Sequence, residues 1–178
     1  MLLNEKNRTR SKDSIMRILN AIVLSMVITV AAGAAEAIYD ETADARLDIQ
    51  HALTAAATNQ TPVIIVFGAN WCPDCKMLDR AMKAKRIASL LNKDFKIVHV
   101  NVGNPDTNVV GHFDKNVDVA QSYGVPLELG IPTVAIISAK NEVLYVTKER
   151  ELSKARKIGE KGIYDFFKKV TADAGAKK

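Results

Sequence analysis

The chain has 178 residues, 48% of them hydrophobic and 25% charged, the balance of a globular protein long enough for one domain with a real core. Its formal charge of +5 is mild, and no stretch interleaves basic with aromatic residues, so composition argues against a nucleic-acid partner. Only two cysteines occur, at positions 72 and 75, and they carry most of the chemistry that the sequence reveals.

In chain order, Lys6, Arg8, Arg10, Lys12 and Arg17 precede an apolar stretch from Ile18 to Ala35, which small residues close at Ala35-Glu36-Ala37. Basic, apolar, then small is the order of a secretory signal, with Ala-x-Ala as its cleavage signature. The cut is expected between Ala37 and Ile38, with Ala32-Gly33-Ala34 offering an earlier one. Residues 1–37 hold five Lys/Arg and three Asp/Glu, which leaves +3 on residues 38–178. The apolar run is longer than a typical signal core, so the alternative is an uncleaved membrane anchor. Asn20, Ser25 and Thr29 weaken it as a span. Either way, the remaining chain is expected to be periplasmic or otherwise exported, in a compartment where disulfides persist.

Residues 38–43 read as a short leader. Asp44 to Thr58 carries Ala45, Leu47, Ile49, Ala52, Leu53 and Ala56 at mostly helical spacing, and Asn59-Gln60-Thr61-Pro62 breaks it. The continuous apolar run Val63 to Phe67 predicts a strand buried on both faces. Cys72 to about Met82 reads as a helix, interrupted by the basic stretch Lys83 to Arg86. A second helical piece follows, from Arg86 to Leu91, closed by Asn92. Phe95 to Val102 alternates and predicts a strand parallel to the first. Gly103 to Lys115 is loop-like, and Asn116 to Tyr123 is a short helix. Thr133 to Ser138 and Val143 to Val146 form two strands joined by a tight turn at Lys140-Asn141. Glu151 to about Ala172 is mainly helical, with a break at Gly159 or Gly162 and an apolar face of Ile163, Phe166, Phe167 and Val170. Residues 173–178 make a basic tail suited to a helix C-terminus.

Trp71-Cys72-Pro73-Asp74-Cys75 therefore sits where a buried strand turns into a helix. A sulfur there faces unpaired backbone N–H groups and the positive end of the helix dipole. Both favour the thiolate, the form that attacks disulfides. A partner sulfur one turn later can resolve the resulting mixed disulfide. The spacer sets the redox tendency: Asp74 opposes any thiolate it approaches, and a less stabilised thiolate lowers the reduction potential. That direction favours a reductant or isomerase over an oxidase.

Strand, Trp-Cys-x-x-Cys, helix, strand, helix, then Gly130-Ile131-Pro132-Thr133 leading into a hairpin, resembles the thioredoxin superfamily, and within it the exported thioredoxin-like proteins. The resemblance spans about Thr61 to Val170. It implies an α/β thioredoxin fold over residues 61–172, with a central mixed sheet flanked by helices. Residues 38–60 then supply an additional N-terminal helix. It also implies a thiol–disulfide oxidoreductase in which Cys72 attacks and Cys75 resolves, with the redox-active Cys72–Cys75 disulfide in place of any cofactor. Pro132 matches the family's cis-proline, a geometry that X-Pro bonds oppose far less than other peptide bonds do. Ile131 is expected to pair with an extended substrate backbone, and Trp71 to flank the site as an apolar platform.

Two departures stand out. The family's buried acid on the central strand is replaced by Val66, and its frequent lysine on the neighbouring strand by His99. His99 is a candidate proton acceptor for Cys75; the alternative is a packed strand residue. Asp79 and Arg80 read as helix-surface charges, and His112 and Asp114 as solvated loop residues. A purely structural disulfide would gain little from so short a loop. A metal site would need two further ligands, from His51, His99, His112 or carboxylates, and none is expected. Protein disulfides are the implied substrates and a membrane thiol carrier the implied electron donor. No dimerisation domain is visible, so a monomer is expected. The alternatives are an isomerase or oxidase of the same fold, or a non-catalytic metal-binding or chaperone module.

Overall fold

A computed structural model describes residues 37–105, 112–148 and 150–175. The leader expected at residues 1–37 lies outside them except for Ala37, as do residues 106–111 of the predicted loop and the last three residues of the basic tail. Among the described residues no helix is long and apolar enough to cross a membrane.

Helix α1 (Ala45–Ala57) starts where the Asp44 carboxylate accepts the backbone N–H groups of Arg46 at 2.9 Å and Leu47 at 3.2 Å, satisfying two of the donors a helix start leaves unpaired. Strand β1 (Val63–Gly68) follows, then α2 (Pro73–Lys83), α3 (Lys85–Leu91) and β2 (Lys96–Asn101). Ala84, with extended backbone, separates α2 from α3, as the basic interruption predicts. Next come α4 (Val117–Ser122), a single 3-10 turn (Leu127–Leu129) that the periodicity did not reveal, β3 (Thr133–Ile137), β4 (Val143–Val146) and α5 (Ala155–Gly175).

The sheet order is β2-β1-β3-β4. β1 runs parallel to β2, from Val63 opposite Lys96 to Gly68 opposite Asn101, and antiparallel to β3, from Val63 opposite Ile137 to Phe67 opposite Thr133. Being central, β1 buries both faces, which is why its sequence is continuously apolar rather than alternating. Ile65 and Phe67 pack with Val100, Ala135, Ile49 of α1 and Val119 of α4. Ile64 and Val66 pack with Leu78 of α2, Leu91 of α3 and Ile163 and Phe167 of α5. The result is a mixed sheet with α1 and α4 on one face and α2, α3 and α5 on the other. Burying each such side chain contributes about 1.5–3 kcal/mol.

The last helix departs from expectation at both ends. It begins at Ala155 rather than Glu151 because the Glu151 carboxylate is taken up by the hairpin, accepting from the Tyr145 hydroxyl at 2.6 Å and Lys148 N–H at 2.8 Å. It also runs on to Gly175. Its break falls at Gly159, with φ 66° and ψ −177°, and not at Gly162.

Candidate functional site

At the end of β1 the chain passes through Ala69-Asn70-Trp71 and enters α2 with Cys72 as the N-cap residue. Pro73 occupies the first turn, where a missing N–H costs nothing. The Cys72 sulfur takes the place of a capping oxygen and accepts the backbone N–H of Cys75 at 3.2 Å. Across the sheet end, the Ile131–Pro132 peptide bond is cis, and the Ile131 carbonyl lies 3.7 Å from Cys72 Sγ. The start of α2 and the proline loop are thus brought together. Both thiols are free. Cys72 keeps 4% of its surface and Cys75 none.

The two sulfurs are electrostatically unequal. Hydrogen bonding from the Cys75 thiol, with the backbone N–H groups of Cys75 and Asp74, holds Cys72 below the usual thiol range against the opposing cost of burial. Burial, followed by the proximity of Cys72, pushes Cys75 far above it. One sulfur is therefore poised as a nucleophile while the other keeps its proton.

Trp71 is 45% exposed beside this pair, its indole N–H donating to the Gly103 carbonyl at 2.7 Å. Asp74 points away from the sulfurs. Its carboxylate accepts the Arg156 backbone N–H at 2.8 Å and pairs with the Arg156 guanidinium at 3.1 Å. It still opposes the Cys72 thiolate, as the sequence suggested, but it ranks below burial and the three hydrogen bonds to that sulfur.

His99 faces α2. Its Nε2 is 3.8 Å from Asp79 Oδ1, and burial holds its pKa below the usual imidazole range despite that carboxylate. The imidazole packs against Tyr39, the two rings T-shaped with centroids 5.4 Å apart.

Two expectations need correction. Asp79 is not a surface charge: it is 8% exposed and pairs with Lys83 at 2.9 Å, because the face of α2 that carries it turns towards His99. Residues 38–43 are not merely a leader. Tyr39 is fully buried, and Asn70 clamps it, accepting Tyr39 N–H at 3.0 Å and donating to its carbonyl at 2.7 Å. Gly68 makes the room: a Cβ there would collide with the Tyr39 hydroxyl and meet Cys75 Sγ at 3.0 Å. The only sequence hint was an aromatic residue in an otherwise mostly polar segment. Among the described residues no group of three or more His, Cys, Asp or Glu could hold a metal ion.

A sequence-family model described as thioredoxin-like matches residues 43–139, more than half of the chain. The chain belongs to the thioredoxin-like family. This thioredoxin-like protein is 41% identical to a structure described as the disulphide isomerase from Xylella fastidiosa Temecula1, over 78% of this chain and 99% of that one, with a TM-score of 0.70. A DsbH oxidoreductase shares 19% identity over 71% of this chain and 81% of its own, with a TM-score of 0.50, a likeness of fold alone. No curated protein matches the sequence.

Proposed function

We propose that this thioredoxin-like protein is an exported thiol–disulfide oxidoreductase that reduces protein disulfides. The carrying observation is the unequal pair: Cys72 at the start of α2 with its sulfur on the Cys75 N–H at 3.2 Å, and Ile131-Pro132 facing it. The Cys72 thiolate attacks one sulfur of a substrate disulfide, and the other substrate sulfur leaves as a thiolate. Cys75 then attacks Cys72 Sγ, forming the Cys72–Cys75 disulfide and releasing the second substrate thiol. Two electrons have passed from enzyme to substrate. Trp71 and the Ile131 backbone would hold an extended substrate segment beside Cys72, with Pro132 shaping the loop. The oxidised enzyme needs a thiol donor, for which a membrane carrier is the natural class in an exported setting. The leader at residues 1–37 supports export, by cleavage or as an anchor.

The 41% identical relative described as a disulphide isomerase favours a second reading, rearrangement of wrong disulfides. Attack by Cys72 alone suffices for that activity, whereas net reduction needs both sulfurs. Insulin reduction is expected from the wild type and to be abolished in Cys72→Ser and in Cys75→Ser, the latter accumulating mixed disulfides. Wild-type turnover in both variants would end the proposal. Reactivation of scrambled ribonuclease by Cys75→Ser, without insulin reduction by the wild type, would transfer it to the isomerase reading.

A further inference from the structure

Cys75 must ionise to resolve a mixed disulfide, yet it has no surface and its thiol is pushed far up by burial. No carboxylate on β1 relieves this: its six residues are Val63, Ile64, Ile65, Val66, Phe67 and Gly68. The space over Gly68 is instead occupied by a phenol. The position of a Cβ on Gly68 is overlapped by the Tyr39 hydroxyl and lies 3.0 Å from Cys75 Sγ, so oxygen and sulfur flank one point.

We propose that the Tyr39 hydroxyl donates a hydrogen bond to Cys75 Sγ as that sulfur becomes a thiolate, making Tyr39 a catalytic residue of the resolving half-reaction. This rests on the exchange mechanism proposed above.

Three further observations support it. The Tyr39 hydroxyl is buried and has no hydrogen-bond partner among the described residues, a state that ordinarily costs about 1–3 kcal/mol and that a thiolate acceptor would relieve. The ring is fixed from two sides, by the Asn70 clamp on its backbone and by the edge-on imidazole of His99, so the hydroxyl cannot swing away. And the phenol stays protonated: burial first, then the charges of Cys75 and Cys72, hold it well above the usual tyrosine range. It therefore acts as a donor and never as a competing anion.

The step balances without any outside reagent. Cys75 gives up its proton, which ends on the departing substrate thiolate or in solvent, and its sulfur attacks Cys72 Sγ. The Cys72–Cys75 bond forms as the Cys72–substrate bond breaks, and the departing substrate thiolate carries away the electron pair and takes up a proton. Tyr39 keeps its own proton throughout and only stabilises the transient charge. The ionisable groups around Cys75 are Cys72 and Asp79 on α2, Tyr39 itself, and, behind the tyrosine, His99 on β2 with Lys83 paired to Asp79.

The test uses the reduced full-length protein and a chromogenic aryl disulfide in stopped flow. One coloured thiolate is released when Cys72 attacks and a second when Cys75 resolves. In Tyr39→Phe, which keeps the ring and the backbone clamp, the first release is expected to stay within about twofold of wild type. The second should slow about tenfold or more at neutral pH, the loss of one hydrogen bond to a charged group, and the deficit should narrow as alkali ionises Cys75 unaided. A second release within about twofold of wild type across the pH range overturns the proposal. So does an equal slowing of both releases, which would mark a structural role. A wild-type protein that gives no second release would instead sink the exchange mechanism itself.

Discussion

At the scale of single residues, the site depends on an asymmetry between two sulfurs three positions apart. Cys72 is favoured as a thiolate by a donor thiol and two backbone N–H groups, and Cys75 is burdened by burial. The motif showed where this would happen but gave a misleading weight to Asp74. From sequence, that carboxylate is the obvious negative charge beside the thiolate. In the fold it is anchored to α5 by Arg156, whose guanidinium counters its charge. Asp74→Asn keeps an acceptor for the Arg156 N–H and removes the charge. The Cys72 thiolate gains slightly, the reduced form gains with it, and the potential rises by no more than about 30 mV. Equilibration with glutathione measures this. A rise of about 60 mV or more would mean the Arg156 pairing does not offset the carboxylate as described, and a fall would mean that the carboxylate does not oppose the Cys72 thiolate. Because Arg156 is 63% exposed, the broken ion pair itself contributes only about 0–1 kcal/mol to stability.

At the scale of elements, almost every helix and strand was legible, because the continuous apolar run of β1 and the helical apolar spacing of α1 are local signals. What was not legible was tertiary. Glu151 looked like a helix start and is a hairpin brace. Asp79 looked exposed because its neighbour His99 lies twenty positions away. Tyr39 looked like leader because its partners Gly68, Asn70 and Cys75 come together only once β1 and α2 are in place. The α5 break was narrowed to two glycines, and backbone geometry selects between them. Gly159, at φ 66° and ψ −177°, occupies a region essentially reserved for glycine. A Cβ there would meet nothing within 4 Å, so any penalty for Gly159→Ala is backbone strain and not a clash. Urea denaturation is expected to show a loss of about 1–3 kcal/mol, with the dithiol reactivity of Cys72 retained. An unchanged midpoint would mean that the two parts of α5 tolerate joining into one continuous helix.

At the scale of the whole molecule, the polar cluster beside the cysteine pair makes folding stability depend on pH. His99 faces Asp79 and Lys83 of α2 and the ring of Tyr39. Burial lowers its pKa, Lys83 pushes in the same direction, and Asp79 only partly opposes them. The unfolded chain therefore binds a proton near the ordinary imidazole value of about 6.5, while the folded protein still refuses it. In that window the unfolded state holds more protons, so stability must rise with pH. The contribution is complete above about pH 6.5 and is lost as pH falls towards the lowered folded value. Asp40, Asp118 and Asp165 are also shifted downward, by the Thr42 N–H, by Arg46 and by Lys161 respectively. Their contributions begin to disappear only in the carboxylate range, below about pH 4. The two windows are separable. Urea midpoints measured from pH 7.5 downward, about a unit at a time, should decline already between pH 6.5 and 5 in the wild type. A His99→Gln protein should stay level there and begin to lose stability only with the carboxylates. A wild-type profile flat down to pH 5 would show that the imidazole is protonated as readily in the fold as outside it.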